Sequence, residues 1–140
     1  MKKLGLIVNP VAGMGGAVGL KGTDGPELLE QAQKLGAIPK AQGRAEAALA
    51  QLALLGEELE ILTYRGSMGE DAVVATGKSP RVIGASAFST STPTDTIAAA
   101  RELAAAGVHL LLFAGGDGTA RDIHDAIGTT VTCLGIPAGV

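Results

Sequence analysis

The chain has 140 residues, 46% of them hydrophobic and 18% charged, with a formal net charge of −3. That length fits one domain around one core, and the lack of any Lys/Arg run excludes capture of a nucleic-acid backbone by charge. With two Phe, one Tyr and no Trp, the core has to be assembled from Ala, Leu, Ile and Val.

Leu4 to Val8 reads as a buried first strand. The preceding "MKK" resembles the basic start of a signal peptide, but the apolar stretch reaches Asn9-Pro10 within a few residues and is too short. Glu27 to Leu35 and Ala45 to Leu55 carry apolar residues at helical spacing, separated by Gly36-Ala37-Ile38-Pro39. Leu59 to Thr63 is a second strand, and "GSMGEDAVVATG" contains a short helix. Arg81 to Ile83 is a third strand. Thr94 to Ala106 is a helix, with Thr92 as N-cap, Pro93 at its first position, Asp95 in its first turn and Gly107 closing it. Val108 to Phe113 is the clearest strand in the chain. Ala120 to Ile127 is a helix stopped by Gly128, and Val131 to Ile136 is a last strand.

Strands without polar alternation, each followed by a helix, predict a parallel sheet covered on both faces. Right-handed crossovers then give an open, doubly wound α/β three-layer sandwich of Rossmann-like type. Ligands of such folds bind beyond the carboxyl ends of the strands. The last strand runs into "IPAGV" without a helix after it. The expectation is therefore a single α/β domain over residues 1–140 of a truncated sequence, with a further domain absent. No segment approaches the ~20 apolar residues of a membrane span, and a cytoplasmic location is expected. The single cysteine, Cys133, reads as a small buried apolar residue.

Two glycine-rich stretches begin where a predicted strand stops. "GGDGT" places Gly115, Gly116, Asp117, Gly118 and Thr119 between a strand and a helix. Glycines there let backbone approach a ligand closely, and the helix N-terminus behind them favours phosphate. The plainer alternative is a tight turn with Asp117 or Thr119 capping the helix. "NPVAGMGGAVGLKGTDG", residues 9–25, follows the first strand. Its amides suit an anion-binding nest in which Gly13, Gly15 and Gly16 supply backbone and Lys21 a charge; a surface loop is the alternative.

Other motifs fail on inspection. The dinucleotide fingerprint needs a third glycine where Val18 stands, and Gly77-Lys78-Ser79 lacks the first P-loop glycine at Ala72 and runs into Pro80. No metal site is expected: His109 enters a buried strand, and His124 lies with Asp122 and Asp125 on a solvated helix face. Arg121 has the spacing to pair with Asp125 and with Asp117, or to reach a phosphate.

Asn9-Pro10-x-Ala12-Gly13 after the first strand, together with Gly115-Gly116-Asp117-Gly118-Thr119 after a later one, resembles the ATP-NAD kinase family. That family is related to diacylglycerol and sphingosine kinases and, more distantly, to 6-phosphofructokinases. The two loops look most like the acetoin-catabolism X-type subgroup. The resemblance implies a two-domain kinase whose nucleotides bind between an N-terminal α/β domain and a C-terminal β-rich domain. It assigns Asp117 to the hydroxyl being phosphorylated, as the catalytic residue. Gly115, Gly116, Gly118 and Thr119 take nucleotide contacts, and the turn carrying Asn9, Pro10 and Gly13 lies near ATP phosphates. ATP and NAD are the implied ligands, with Mg²⁺ carried on the phosphates, and the product is NADP. A downstream Asn-Glu motif of the family has no match. Other expectations are a homo-oligomer with no nucleic-acid or membrane partner, and inactivity of this stretch alone. A sensing module without turnover, or a kinase of a lipid or small polyol, remains open beside NAD phosphorylation.

Overall fold

The computed structural model describes residues 2–12, 40–53, 58–86 and 92–138. Strand β1 (Lys2–Val8) precedes helix α1 (Ala41–Ala53), β2 (Leu59–Tyr64), a 3₁₀ turn (Gly66–Met68), α2 (Glu70–Ala75) and β3 (Arg81–Gly84). Helix α3 (Pro93–Ala105), β4 (Leu110–Gly115), α4 (Asp117–Ile127) and β5 (Cys133–Pro137) complete the described elements. The predicted helix over Glu27 to Leu35 lies outside the described residues, as does the end of the one predicted to reach Leu55.

The five strands form one sheet of order β3-β2-β1-β4-β5, and every neighbouring pair is parallel. Alternating side chains explain why both faces are covered. Leu4, Leu6 and Val8 of β1 and Leu112 and Ala114 of β4 face Ala41, Ala45 and Leu49 of α1 and Ala72 and Val73 of α2. Ile7, Leu62, Leu111 and Phe113 project the other way, onto Ala99, Ala100 and Leu103 of α3 and Ile123 and Ile127 of α4. Strands buried on both sides read as continuous apolar runs, which is why their sequences showed no alternation.

Local chemistry sets the ends of these elements. Thr92 caps α3: Asp95 N–H donates to Thr92 Oγ1 at 3.4 Å, and Thr92 N–H donates to Asp95 Oδ2 at 2.9 Å, the reciprocal capping arrangement. Gly107 (φ +82°) and Gly128 (φ +57°) follow α3 and α4 in the left-handed region that glycine tolerates. Val108 and His109 precede β4 rather than opening it. His109 N–H donates to Lys3 O at 2.8 Å, while Lys3 N–H donates to His109 Nδ1 at 3.0 Å. His109 is exposed at the amino-terminal end of the sheet, between β1 and β4, contrary to its expected burial in a strand.

The expectation for Cys133 is also corrected, since the residue is exposed. It lies on edge strand β5, whose residues Cys133, Leu134, Gly135 and Pro137 are all exposed. Its apolar neighbours in the chain describe an edge strand, which is not the same as a core strand. Among the described residues no helix is long and apolar enough to cross a membrane.

Candidate functional site

From β1 the chain builds outward through β2 to β3, then returns to place β4 on the other flank of β1. The carboxyl ends of β1 and β4 are thus where strand order reverses, and helices leave for opposite faces. A crevice opens at such a point, where doubly wound proteins bind ligands. Asn9 follows β1 and Gly116-Asp117 follows β4, so the topology brings both sequence motifs to this one place.

Hydrogen bonds join the two turns. Asn9 N–H donates to Ala114 O at 2.9 Å, extending the β1–β4 ladder by one residue. Asn9 Nδ2 donates to Thr119 Oγ1 at 3.0 Å, and Asn9 Oδ1 accepts from Val11 N–H at 3.2 Å. The last contact makes an Asx turn, the local structure that favours Asn at a strand exit. Pro10 lies in that turn, and Ala12 N–H closes it on Asn9 O at 3.1 Å.

The two glycines after β4 serve different ends. A Cβ on Gly115 would lie 2.6 Å from Thr119 Cβ and closer still to its Oγ1, so packing alone requires glycine there. Gly116 is the N-cap of α4, with φ −108° and ψ −157°, an extended conformation open to any residue. Among the described residues no side-chain hydrogen bond caps the helix, and Thr119 Oγ1 bonds Asn9 instead, so the alternative of a cap by Asp117 or Thr119 is not the one that forms. The first helical bond of α4 is Ala120 N–H to Gly116 O at 3.1 Å. The amides of Asp117, Gly118 and Thr119 precede it at the positive end of the helix dipole. Gly116, whose conformation does not demand glycine, presents no side chain at this helix N-terminus, the kind of end that favours a negatively charged group.

Asp117 is exposed on the first turn of α4, and Gly118 is partly buried beside it. Thr119 is 3% exposed, its hydroxyl turned inward to Asn9. Arg121 is exposed, and among the described residues no ion pair joins it to Asp117 or Asp125, although the helix begins early enough to permit both. His124 is likewise exposed on α4. Gly13, Gly15, Gly16 and Lys21 lie outside the described residues. Among the described residues no group of three His, Cys, Asp or Glu is placed to hold a metal ion.

Sequence reasoning singled out Asn9 and Thr119 separately, each as a ligand contact, and missed that they bond to one another. An Asn at a strand exit and a Thr in the first turn of a helix were the available signals. Their pairing depends on β1 and β4 being neighbours, which no local pattern encodes.

A protein-family model described as ATP-NAD kinase N-terminal domain matches residues 4–140. Comparison with curated proteins returns no significant match, and comparison with solved structures returns none either.

Proposed function

We propose that this chain, which belongs to the ATP-NAD kinase N-terminal domain family, forms one wall of a cleft in which ATP phosphorylates a hydroxyl. The acceptor in this reading is the ribose 2′-OH of NAD, and the product is NADP. The single observation that carries it is the exposed Asp117 on the first turn of α4, beside the carboxyl ends of β1 and β4 where the strand order reverses.

Each residue has a physical task there. Gly116 presents no side chain, so a phosphate can approach the α4 N-terminus. The amides of Asp117, Gly118 and Thr119 supply donors aligned with the helix dipole. Asp117 accepts the acceptor hydroxyl's hydrogen bond and points its oxygen in line with the transferred phosphoryl group. Phosphoryl transfer has a loose transition state, so orienting the nucleophile counts for more than early removal of its proton. Mg²⁺ arrives on the nucleotide phosphates and neutralises charge that develops on them. The turn after Asn9 leads towards Gly13, Gly15, Gly16 and Lys21, to which this reading assigns ATP phosphates. A β-rich C-terminal domain supplies the opposite wall, and the subgroup is that of acetoin-catabolism X-type proteins.

The test uses the complete protein with NAD, ATP and Mg²⁺, followed by mass spectrometry for NADP. Asp117→Asn is expected to cut turnover by about a hundredfold or more while nucleotide affinity changes little. Near-intact turnover in that variant removes Asp117 from the reaction. Nucleotide binding without any product makes the protein a sensor, and phosphorylation of diacylglycerol or a polyol in place of NAD changes the acceptor.

A further inference from the structure

We propose that Asn9 is a positioning residue acting through Thr119, so that the turn leaving β1 sets the place of Asp117 on the turn leaving β4. This inference rests on the phosphotransfer reading of the same crevice. It assigns Asn9 a task different from direct nucleotide contact.

Both ends of the Asn9 carboxamide are fixed. A backbone N–H only donates, so the atom facing Val11 N–H at 3.2 Å is Oδ1. That assignment leaves Nδ2 facing Thr119 Oγ1 at 3.0 Å. The main chain is engaged as well, through Asn9 N–H to Ala114 O at 2.9 Å and Ala12 N–H to Asn9 O at 3.1 Å. Every polar group of Asn9 therefore has a partner within the protein.

Thr119 is equally constrained. Its side chain is buried and fills the space beside Gly115 that a Cβ would need. Asn9, Thr119 and Gly115 thus fit together as one latch between neighbouring strands. Asp117 is exposed and lies two residues before Thr119 on the same helical turn, so it takes its position from that latch. Rotation of Thr119 would shift the turn that carries the carboxylate. Movement of the β1 turn when phosphates bind would reach Asp117 by the same route.

The test is a double-variant cycle in the complete protein with Asn9→Ala, Thr119→Val and both together. Hydrogen exchange is followed first at two amides on the β4 side, without substrate. These are Ala120 N–H, bonded to Gly116 O, and Ala138 N–H, bonded to Gly115 O at 3.3 Å. Each single variant is expected to speed both by about tenfold, in line with loss of one hydrogen bond. The double variant should be no worse than the poorer single one, because the two residues act as a unit. Thr119→Ser, which keeps the hydroxyl, should restore protection. Asn9→Asp also should, since the Thr119 hydroxyl can turn to donate to the new oxygen. With ATP and NAD, the broken variants should lose kcat by about tenfold with KM nearly unchanged.

Unchanged exchange at Ala120 and Ala138 in both Asn9→Ala and Thr119→Val overturns the proposal. Additive costs in the double variant do so as well, and so does a loss confined to KM for ATP. The exchange cycle needs no turnover, so an absence of kinase activity in the parent protein defeats the functional reading while the latch is still decided.

Discussion

Tyr64 donates its phenolic hydrogen to Glu102 Oε2 over 2.5 Å, tying the carboxyl end of β2 to the C-terminal part of α3. Gly84, at the end of β3, leaves the room: a Cβ there would lie 2.6 Å from Tyr64 Cε1. Burial first, then the hydrogen bond to Glu102 and the nearby negative charges of Glu102 and Asp95, raise the Tyr64 pKa well above its ordinary value of 10.0. The neutral phenol is thus the form that the folded protein favours.

The folded state consequently keeps this proton where the unfolded chain gives it up. Stability should be unaffected below pH 10.0 and fall as pH rises beyond it. Tyr64 is the chain's only tyrosine, so tyrosinate absorbance reports on it alone. Alkaline unfolding should coincide with that absorbance, and Tyr64→Phe should remove this contribution to the pH slope. At neutral pH the same variant should cost about 1 kcal/mol in denaturant titrations.

Gly115→Ala should destabilise the protein by about 1–3 kcal/mol, the usual cost of forcing atoms into filled space. The new methyl group would press on Thr119, whose Cβ lies 2.6 Å from where it must go. Combining the change with Thr119→Ala should cost less than the sum of the two, measured by chemical denaturation, because they compete for one space.

Thr92→Ala should lose about 1 kcal/mol of stability. Its side chain accepts from Asp95 N–H, and Asp95 Oδ2 in turn accepts from the Thr92 amide and, at 3.1 Å, from its hydroxyl. Thr92→Ser retains the capping oxygen and should remain close to the parent in thermal unfolding.

Cys133 should accept one thiol label per native chain, because it is exposed. Neighbouring atoms nevertheless raise its pKa above the ordinary 9.0 by desolvation, and its thiol donates to Val131 O at 3.4 Å. Less thiolate means slower reaction near neutral pH than for free cysteine, with the rate climbing as pH passes 9.0. A chromogenic disulfide reagent, followed against pH, measures this.

Continuous apolar runs located the described strands well because a parallel sheet buries both faces of β1, β2 and β4. The cap of α3 was legible for a different reason: Thr92, Pro93 and Asp95 interact within one turn. Boundaries moved where tertiary contacts decide them. Val108 and His109 look like strand, yet they carry the chain from Gly107 to β4, with His109 held by Lys3. The first turn of α4 was missed because Asp-Gly-Thr are weak helix formers in a helix interior, although the first turn tolerates them. At the site, both motifs were visible in the sequence. The Asn9–Thr119 contact was not, because it spans 110 residues and exists only through strand order.

Gly116 shows how conformational stability and access compete at this crevice. A serine or aspartate at the same N-cap would tighten α4 by a small margin, and the backbone there could accept either. The same side chain would intrude on the amides where a phosphate is proposed to rest. Optimising this domain for heat resistance alone would therefore tend to close the crevice, the familiar conflict between robustness and activity. Glycine at position 116 accepts a slightly looser helix and, in the proposed reading, leaves those amides bare for the phosphate.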